Sequence, residues 1–575
     1  MDNLDKRRQL EILRSALENE RSSFRSHWGE IANNILPRRA QFTVTDTNRG
    51  YKRNQKIIDE TGTLAARTLA AGMQGGITSP ARPWFRLTTQ DPDLAESGPV
   101  KEWLHLVGQR MGSVFLRSNI YNALPTVYGD IGTFGTAAMA VEEDFDKVIR
   151  CYPFSIGSYC LATNDKLQVD VFYRTFRLTV RQVVQKFARR DRNGQPDWSN
   201  ISVMVKNLYD KNNYEEWIDI NHVIQPNLEF NPKVLTSQPY ESIYYEAGAM
   251  GSSANYMASE PNKFLRQSGY KHFPVLAPRW EVSGEDIYGT NCPGMLALSG
   301  IKHLQLGEKR TMQAIEKKIN PPMIAPISLR KQSASILPGD ITYVDEREGI
   351  KGFRPAHEVN FDIQPMEVKQ EQIRQRIRKS YFEDLFLMFA NMDRADITAT
   401  EINARREEKL VVLGPVLEQL NQDLYDPLID LTFEIMDRQG LIPPPPEELQ
   451  GQELKVEYIS IMHQAQKASG LAGLERITSF IGQIAQVKPD IMDKIDGDQL
   501  IDEYGMTIGA PPRIIRTDEQ VAAIRGQRAQ AEQQARQAEA LKNISGAAKN
   551  LSGADMSGDN ALTRMVQLSQ AGSLT

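Results

Sequence analysis

Two long amphipathic segments in the second half of the chain enclose about 45 residues that do not share their pattern. The first, Met295 to Ile319, repeats apolar side chains near helical spacing until Asn320 and two prolines end it. The second, Met366 to Phe389, carries its apolar side chains on one helical stripe. Between them, β-like runs alternate with Gly and Pro breaks. The pattern predicts a small subdomain that projects from two parallel helical struts.

The half of the chain before the struts has a mixed pattern. Apolar residues from Leu10 to Ile35 recur at spacings of three, four and seven, which predicts an amphipathic helix stopped by Pro37. A second helix is predicted from about Gln55 to Met73. From Val148 to Leu178 the chain changes to three short β-rich runs with a turn between the second and the third. We therefore predict an α+β domain before the struts.

The region after the struts is predicted to be mostly helical. A loop at residues 391–398 precedes a long helix from about Ala399 to Gln439, interrupted at Gly414 and Pro415 and ended by a run of four prolines. The segment from Leu449 to Pro512 is predicted to be mostly helical. From Asp518 to about Asn550 the chain is rich in Ala, Gln, Arg and Glu, so a helix there needs neighbours to be stable. The last 25 residues are predicted to be a flexible tail.

Bulk composition excludes several classes of protein. A chain of 575 residues exceeds a single hydrophobic core, so two to four domains are expected. A net charge of −5 argues against a protein that grips nucleic acid over its whole surface. Three cysteines form neither a disulfide framework nor a paired metal motif, which favours a reducing compartment. The sequence shows no secretory signal, and the longest apolar run, Leu410 to Leu417, is too short to span a bilayer. A soluble protein is expected.

Catalytic signatures were sought and are absent from the sequence. No phosphate-binding loop of the Walker type and no nucleophile elbow is present. The glycines from Gly129 to Gly135 have the wrong spacing for a nucleotide fingerprint, so tight packing or a turn explains them better. His357 and Glu358 begin like a zinc-protease motif, but Phe361 stands where the second histidine would be. We expect no enzymatic activity, no cofactor and no metal.

Six segments follow one another along the chain. They are RSSFRSHWGEIANNILP (Arg21 to Pro37), TLAAGMQGGITSPARPWFRL (Thr68 to Leu87), YGDIGTFGTAAM (Tyr128 to Met139), VDVFYRTFRLTVRQ (Val169 to Gln182), RWEVSGEDIYGTNCPGMLALSGIKHLQ (Arg279 to Gln305) and TATEINARREEKLVVLGPVLEQLNQDLYDPLIDLTFEIMDRQG (Thr398 to Gly440). Taken in this order, they resemble the head-to-tail connector (portal) family of podoviruses. The resemblance covers roughly residues 5 to 545. No single segment is diagnostic, and the specificity comes from their order.

The resemblance implies the portal fold: a mixed α+β wing domain, two long stem helices, a small β-containing clip, a helical crown and a short C-terminal helical barrel. The implied boundaries are wing 1–292, first stem helix 293–319, clip 320–364, second stem helix 365–386, tunnel loop 387–397, connecting helix 398–448, crown 449–512, barrel 513–550 and flexible tail 551–575.

The resemblance also implies the function. Portals form a dodecameric ring at the capsid vertex through which double-stranded DNA is packaged and ejected. The implied partners are the terminase motor, a tail adaptor, the major capsid and scaffold proteins, and internal core proteins; no membrane is involved. The implied location is the virion, after assembly in the host cytoplasm. Two alternatives stay open: a tail or scaffold protein that never contacts DNA, and a motor or nuclease subunit, against which the missing phosphate-binding loop counts.

The candidate site residues follow from this placement. The residues expected to line the DNA channel are Lys309, Lys317, Lys318, Arg374 and Arg378 on the struts and Asn391, Met392, Asp393 and Arg394 in the tunnel loop. Arg330 and Lys331 in the clip are candidates for docking a partner or DNA. For any single strut residue the alternative is an ion pair between subunits or plain exposure to solvent.

Overall fold

The computed structural model describes residues 3–43, 56–91, 94–95, 97–190, 194–234, 237–247, 262–321, 323–324, 327, 354–355, 364–390, 413–449, 451, 454–459, 478, 480–481, 496–501, 518–552 and 564. The chain divides into two compact units. One contains Met1–Gln90 and Trp103–Gly473, and the other contains Asp91–Glu102 and Leu474–Thr575. The described chain is α+β, as predicted.

The helices within the described ranges are α1 (Asn3–Asn34), α2 (Thr61–Gly76), α3 (Gly98–Arg117), α4 (Ile120–Phe134), α5 (Val180–Phe187), α6 (Val203–Asp210), α7 (Pro293–Ile319), α8 (Gln364–Ser380), α9 (Glu383–Ala390), α10 (Asp426–Arg438) and α11 (Asp518–Ser552). Residues 413–420 are also helical and lead into α10 through a π-helical turn at Asn421–Tyr425. A short 3-10 helix lies at Glu447–Leu449.

The described strands are β1 (Phe85–Thr89), β2 (Ala138–Asp144), β3 (Val148–Phe154), β4 (Tyr159–Thr163), β5 (Val169–Thr179), β6 (Arg189–Arg190), β7 (Pro196–Asp197), β8 (Trp217–Pro226), β9 (Tyr240–Glu246), β10 (Arg266–Tyr270), β11 (Val275–Leu276), β12 (Met323–Ile324), β13 (Arg354–Pro355) and β14 (Leu454–Tyr458). They form a five-stranded sheet in the order β10-β9-β8-β5-β4, a three-stranded sheet β11-β2-β3, and the pairs β1-β14, β6-β7 and β12-β13. All of these pairings are antiparallel.

Helices cover both faces of the five-stranded sheet. On one face, Leu10 and Leu17 of α1 pack against alternate strand residues such as Tyr173 and Val223. On the other face, α5 and α6 bury their apolar residues against the remaining side chains of the same strands. A capping box fixes the start of α5. The Thr179 hydroxyl accepts a hydrogen bond from the Gln182 backbone N–H, and the Gln182 side-chain oxygen accepts one from the Thr179 backbone N–H. The helix predicted from Leu10 and the three predicted β runs are confirmed.

Helices α7 and α8 form an antiparallel pair. Gly300 lies against Ile373 and Ile377, whereas Thr311, further along α7, accepts a hydrogen bond from Gln370 at 3.0 Å. Residues later in α7 therefore contact residues earlier in α8, so the two helices run in opposite directions. The two predicted strut helices are therefore confirmed as neighbours, and β12 pairs with β13 within the 45 residues that separate them.

The second strut is shorter than predicted. Its helix ends at Ser380, and α9 starts only after a turn at Tyr381 and Phe382. Phe382 has a φ of 55°, a left-handed backbone conformation that ends an α-helix. Its ring stacks on that of Trp280, with 6.4 Å between the ring centroids. Tyr381 is completely buried. Tertiary packing of these two rings thus outweighs the helical stripe. The predicted tunnel loop is also wrong at its start, because Leu387–Ala390 belong to α9.

Two further predictions need correction. Leu454–Tyr458 is a strand rather than part of a helical segment, because its apolar residues alternate with Lys455 and Glu457 and pair with β1. The helix predicted from Gln55 begins only at Thr61, where the Asp59 carboxylate accepts from the Thr61 backbone at 2.8 Å. Most of the predicted clip, the segment 391–412, most of the predicted crown and nearly all of the predicted tail lie outside the described residues.

Candidate functional site

The predicted channel lysines of α7 do not share one surface. Lys309, Lys317 and Lys318 are all exposed. However, Lys309 and Lys318 are nine residues apart, which at about 3.6 residues per turn is two and a half turns, so they point in opposite directions. A channel wall is contacted by one side of a helix. Lys309 and Lys318 therefore cannot both face one channel wall, and which of the three lysines lines a channel stays a prediction.

Arg374 is already paired within its own subunit. Its guanidinium lies 2.9 Å from Asp59, 2.5 Å from Glu308 and 3.4 Å from Glu371. Burial of Asp59 opposes ionisation, but hydrogen bonds from Thr61 and Arg374 outweigh it and lower the pKa of this carboxyl. Three carboxylates neutralise a single guanidinium. Arg374 thus joins α7, α8 and the start of α2, and a role as a free phosphate contact is not supported.

Arg378 is held more loosely. It lies 3.7 Å from both Glu371 and Glu383, and its side chain is 46% exposed. At this distance and exposure the pairs are screened by water and salt. Arg378 can therefore exchange its carboxylate partners for another anion, which keeps it a candidate.

A basic stripe on α8 was not among the channel residues predicted from the sequence. Lys369, Arg376 and Lys379 follow one another at spacings of seven and three, so they share one side of the helix. All three are exposed, and no described carboxylate lies within ion-pair distance of them. On α7, Arg310 and Lys317 are seven residues apart and form a similar exposed pair. The heptad spacing was visible in the sequence and would have found both stripes.

The other predicted site residues cannot be placed. Arg330 and Lys331, as well as Asn391, Met392, Asp393 and Arg394, lie outside the described residues. Their proposed roles stay predictions.

The cysteines are unsuited to nucleophilic chemistry. Cys151, Cys160 and Cys292 are buried, and burial raises the pKa of their thiols to about 12, 11 and 12. Across the described ranges, no group of three metal-ligating side chains is close enough to hold a metal ion. None of the described helices has an apolar stretch that could cross a bilayer. What the described struts offer is exposed positive charge on two packed helices, which suits contact with a polyanion.

Residues 7–515 match the family described as bacteriophage head to tail connecting protein. The chain belongs to this family. The connector is 47% identical over 537 residues to the portal protein of Salmonella phage epsilon15, and the alignment covers 93% of each chain. It is 42% identical over 549 residues to the probable portal protein of Bordetella phage BPP-1, covering 95% of each. The family predicted from six ordered segments is confirmed, and with it a phage portal or connector function.

Proposed function

We propose that the connector forms a ring of twelve copies at the capsid vertex and that double-stranded DNA passes through its centre. The observation that carries this proposal is the antiparallel pair α7 and α8. It combines a buried shared seam with exposed basic stripes and no described counter-charge for them. In a ring, such a pair from each copy would surround the axis as a stem.

Elementary geometry supports a ring of this size. Twelve helices, each about 10 Å wide, give a circumference of about 120 Å and a radius of about 19 Å at the helix axes. Subtracting about 5 Å for side chains leaves a bore of about 28 Å. B-form DNA is about 20 Å wide with a major groove about 8.5 Å deep, so it clears this bore closely. A ring in which one helix of each α7–α8 pair lines the bore can therefore guide a duplex without gripping it.

The charge of the struts fits a sliding contact. Exposed lysines and arginines without fixed partners attract phosphate through counterion release, and they do so without reading sequence. A net charge of −5 for the whole chain argues against strong attraction of DNA over the whole surface. We propose Lys317 and Arg310 on α7 and Lys369, Arg376 and Lys379 on α8 as phosphate contacts, with Arg378 as a weaker one.

The finer assignments remain part of the proposal. Residues 1–292 would form the wing and 320–364 the clip, which would dock the terminase motor and afterwards a tail adaptor. Residues 391–397 would form the tunnel loop, 449–512 the crown and 513–550 the barrel, facing capsid, scaffold and internal core proteins. The protein would assemble in the host cytoplasm and act without catalysis, so a separate motor would supply the energy for DNA movement.

One experiment tests the ring and one tests the loop. Native mass spectrometry of the purified chain should show a particle of about 0.8 MDa, or twelve copies of 64.9 kDa. Monomers at every salt concentration would contradict the ring. Replacing Asn391 to Arg394 by Gly and Ser should leave rings and tails intact but change DNA retention. If capsids assembled with this variant fill with DNA and retain it normally, the result would contradict a tunnel loop at this position and favour a structural protein without DNA contact.

A further inference from the structure

A row of polar side chains crosses the five-stranded sheet on the face that carries α5. In the strand registers, Arg174 of β5 lies opposite His222 of β8, and His222 lies opposite Tyr244 of β9. Tyr244 in turn lies opposite Arg266 of β10. Residues directly opposite each other on antiparallel strands project to the same face and interact. We call these four residues the sheet row.

His222 lies in the middle of the sheet row and is almost completely buried, with 2% of its surface exposed. Its ring stacks on that of Tyr244, with 3.7 Å between the centroids and 8° between the planes. Its Nε2 lies 3.0 Å from the Ser242 hydroxyl. Its Nδ1 is buried and has no hydrogen-bond partner among the described atoms. Stacking and a single hydrogen bond therefore hold the imidazole in place.

Three cations lie around this imidazole. Arg174 and Arg266 belong to the sheet row, and Lys186 of α5 lies 5.2 Å from the centre of the Tyr244 ring. Burial, followed by repulsion from these three cations, holds the pKa of His222 well below its usual range. Among the described residues, one carboxylate counters them: Glu142 of β2 stabilises the charged forms of Arg174 and Lys186. The surroundings of His222 thus favour its neutral form.

The remaining titratable neighbours supply no negative charge. Burial raises the pKa of Tyr244 to about 12 and also raises that of Tyr270 on β10, so both hydroxyls stay neutral in ordinary buffers. Arg174 is fixed in position, because its guanidinium lies 4.6 Å and 4.4 Å from the ring centres of Phe154 and Phe176. The excess of positive charge on this face is therefore built into the folded chain.

Protonation of His222 conflicts with this arrangement in two ways. An imidazolium has two N–H donors, and the Ser242 hydroxyl can accept from one of them. The other, on Nδ1, would be a buried donor without a described acceptor, which is costly. A fourth positive charge would also be added beside three others in a site with little access to water. Uptake of a proton therefore requires the sheet to open around His222.

We propose that His222 makes the five-stranded sheet acid-sensitive. In neutral solution the imidazole is uncharged and the sheet row is intact. In more acidic solution, β8 and β9 open more often, because His222 takes up a proton once water reaches it. This property belongs to the folded chain and does not rest on the ring described under Proposed function.

The direction of the effect follows from the balance of protons. The folded chain keeps His222 neutral, whereas a histidine in an open chain has a pKa of about 6.5. The open state therefore binds more protons in acid, and the stability that His222 contributes is complete above about pH 6.5 and falls below it. From pH 7 to pH 5 the equilibrium constant for opening should rise by as much as about 25-fold.

Hydrogen–deuterium exchange of the full chain, followed by mass spectrometry, tests the proposal. After correction for intrinsic exchange rates, peptides from β8 and β9 should lose at least about tenfold in protection between pH 7 and pH 5. His222→Gln can still bond to Ser242 but cannot take up a proton, so its loss should stay below about threefold. The matched control is His272→Gln, at a side chain 56% exposed, which should lose as much protection as the starting protein.

Each variant is compared with the starting protein at the same pH, because other groups titrate in this range. Burial raises the pKa of Asp130 to about 6, so the stability linked to that carboxyl changes in the opposite direction and increases as the pH falls. The contribution of Asp130 is common to the starting protein and the histidine variants. It therefore cancels in the difference between them.

A surface variant tests the same idea without altering the buried ring. Lys186→Glu replaces one repelling cation by a carboxylate, so His222 becomes easier to protonate in the folded chain. The loss of protection in β8 and β9 between pH 7 and pH 5 should then shrink. Lys166→Glu makes the same charge change in the exposed turn between β4 and β5 and should leave the loss unchanged.

Three results would overturn the proposal. The first is a starting protein whose β8 and β9 peptides lose less than about threefold in protection between pH 7 and pH 5. The second is a loss in His222→Gln equal to that of the starting protein. The third is a loss in Lys186→Glu equal to that in Lys166→Glu, which would show that the cations around His222 do not control its protonation.

Discussion

Charged residues are arranged differently in the part of the chain before the struts and in the struts themselves. Before the struts, two ion pairs are each anchored by a buried side chain: Asp130 is 2% exposed and bound by Arg39, and Arg279 lies 3.0 Å from Asp423 with a side chain 3% exposed. On α7 and α8, apart from the Arg374 cluster, the basic side chains are mostly exposed and lack described partners. Paired buried charges hold one conformation, whereas unpaired exposed charges leave a surface available to a polyanion.

The largest expected effect comes from breaking a buried pair. Asp130→Ala leaves the guanidinium of Arg39 without its carboxylate and creates a cavity beside α4. Removing one partner of a buried ion pair costs about 3–5 kcal/mol, and because the Arg39 side chain is 31% exposed we expect the lower end of this range, about 3 kcal/mol. We expect a fall of several degrees in the thermal midpoint, measured by differential scanning fluorimetry. If Asp130→Ala melts at the same temperature as the starting protein, the pair of Arg39 and Asp130 does not stabilise the fold, and the contrast between the two regions is contradicted.

A smaller effect is expected where α2 meets α9. A Cβ on Gly72 would lie 2.2 Å from the Phe386 ring, so Gly72→Ala must displace α9 and should cost about 1–3 kcal/mol. Gly75 in the same helix has no atom within 4 Å of its Cβ position. Gly75→Ala should instead stabilise the helix by up to about 1 kcal/mol. A lower urea midpoint for Gly72→Ala together with a higher one for Gly75→Ala would support the packing of α9 on α2. Equal shifts for the two variants would contradict it.

Arg374 is an intermediate case. It belongs to a strut helix, but like Arg39 and Arg279 before the struts it is paired with carboxylates of its own subunit. Arg374→Ala leaves Asp59, Glu308 and Glu371 close together without a cation. Because the side chain is 25% exposed, screening limits the loss to about 1–2 kcal/mol. Arg374→Lys should recover part of it, since lysine cannot form the same fork of hydrogen bonds. Thermal melts of the two variants at low and high salt give the comparison.

The smallest effect on stability is expected at the exposed stripes. Arg310→Ala with Lys317→Ala should change the unfolding free energy by less than about 0.5 kcal/mol per site. If these side chains contact phosphate, the dependence of DNA retention on salt should weaken by about 0.9 in logarithmic slope for each lost contact. Lys309→Ala, on a different side of α7, is the control. An equal change in slope for the control would contradict the assignment of the stripe.

The sequence predicted the regular parts of the fold because their patterns are local. The stripe from Leu10, the three β runs after Val148 and the helix to Ile319 each follow a periodicity that tertiary contacts reinforce. The break after Ser380 was missed because Tyr381 and Phe382 fit the stripe, and only the packing on Trp280 ends the helix. The strand Leu454–Tyr458 was missed because its partner, β1, lies far away in the sequence.

The channel residues were chosen by residue type rather than by their position around each helix. Basic residues on the struts were selected, but choosing Lys309 with Lys318 ignored the direction of each side chain around the helix. The pairing of Arg374 depends on Asp59, which is distant in sequence and reaches it only in the folded chain.

Electron cryomicroscopy of the purified particle tests the central claim most directly. We predict a closed ring of twelve copies in which α7 and α8 surround a bore of about 28 Å and the side chains of Lys317 or Arg376 face the axis. A particle without a central hole, or a ring that carries α7 and α8 on its outer edge with the basic stripes turned away from the bore, would contradict the account.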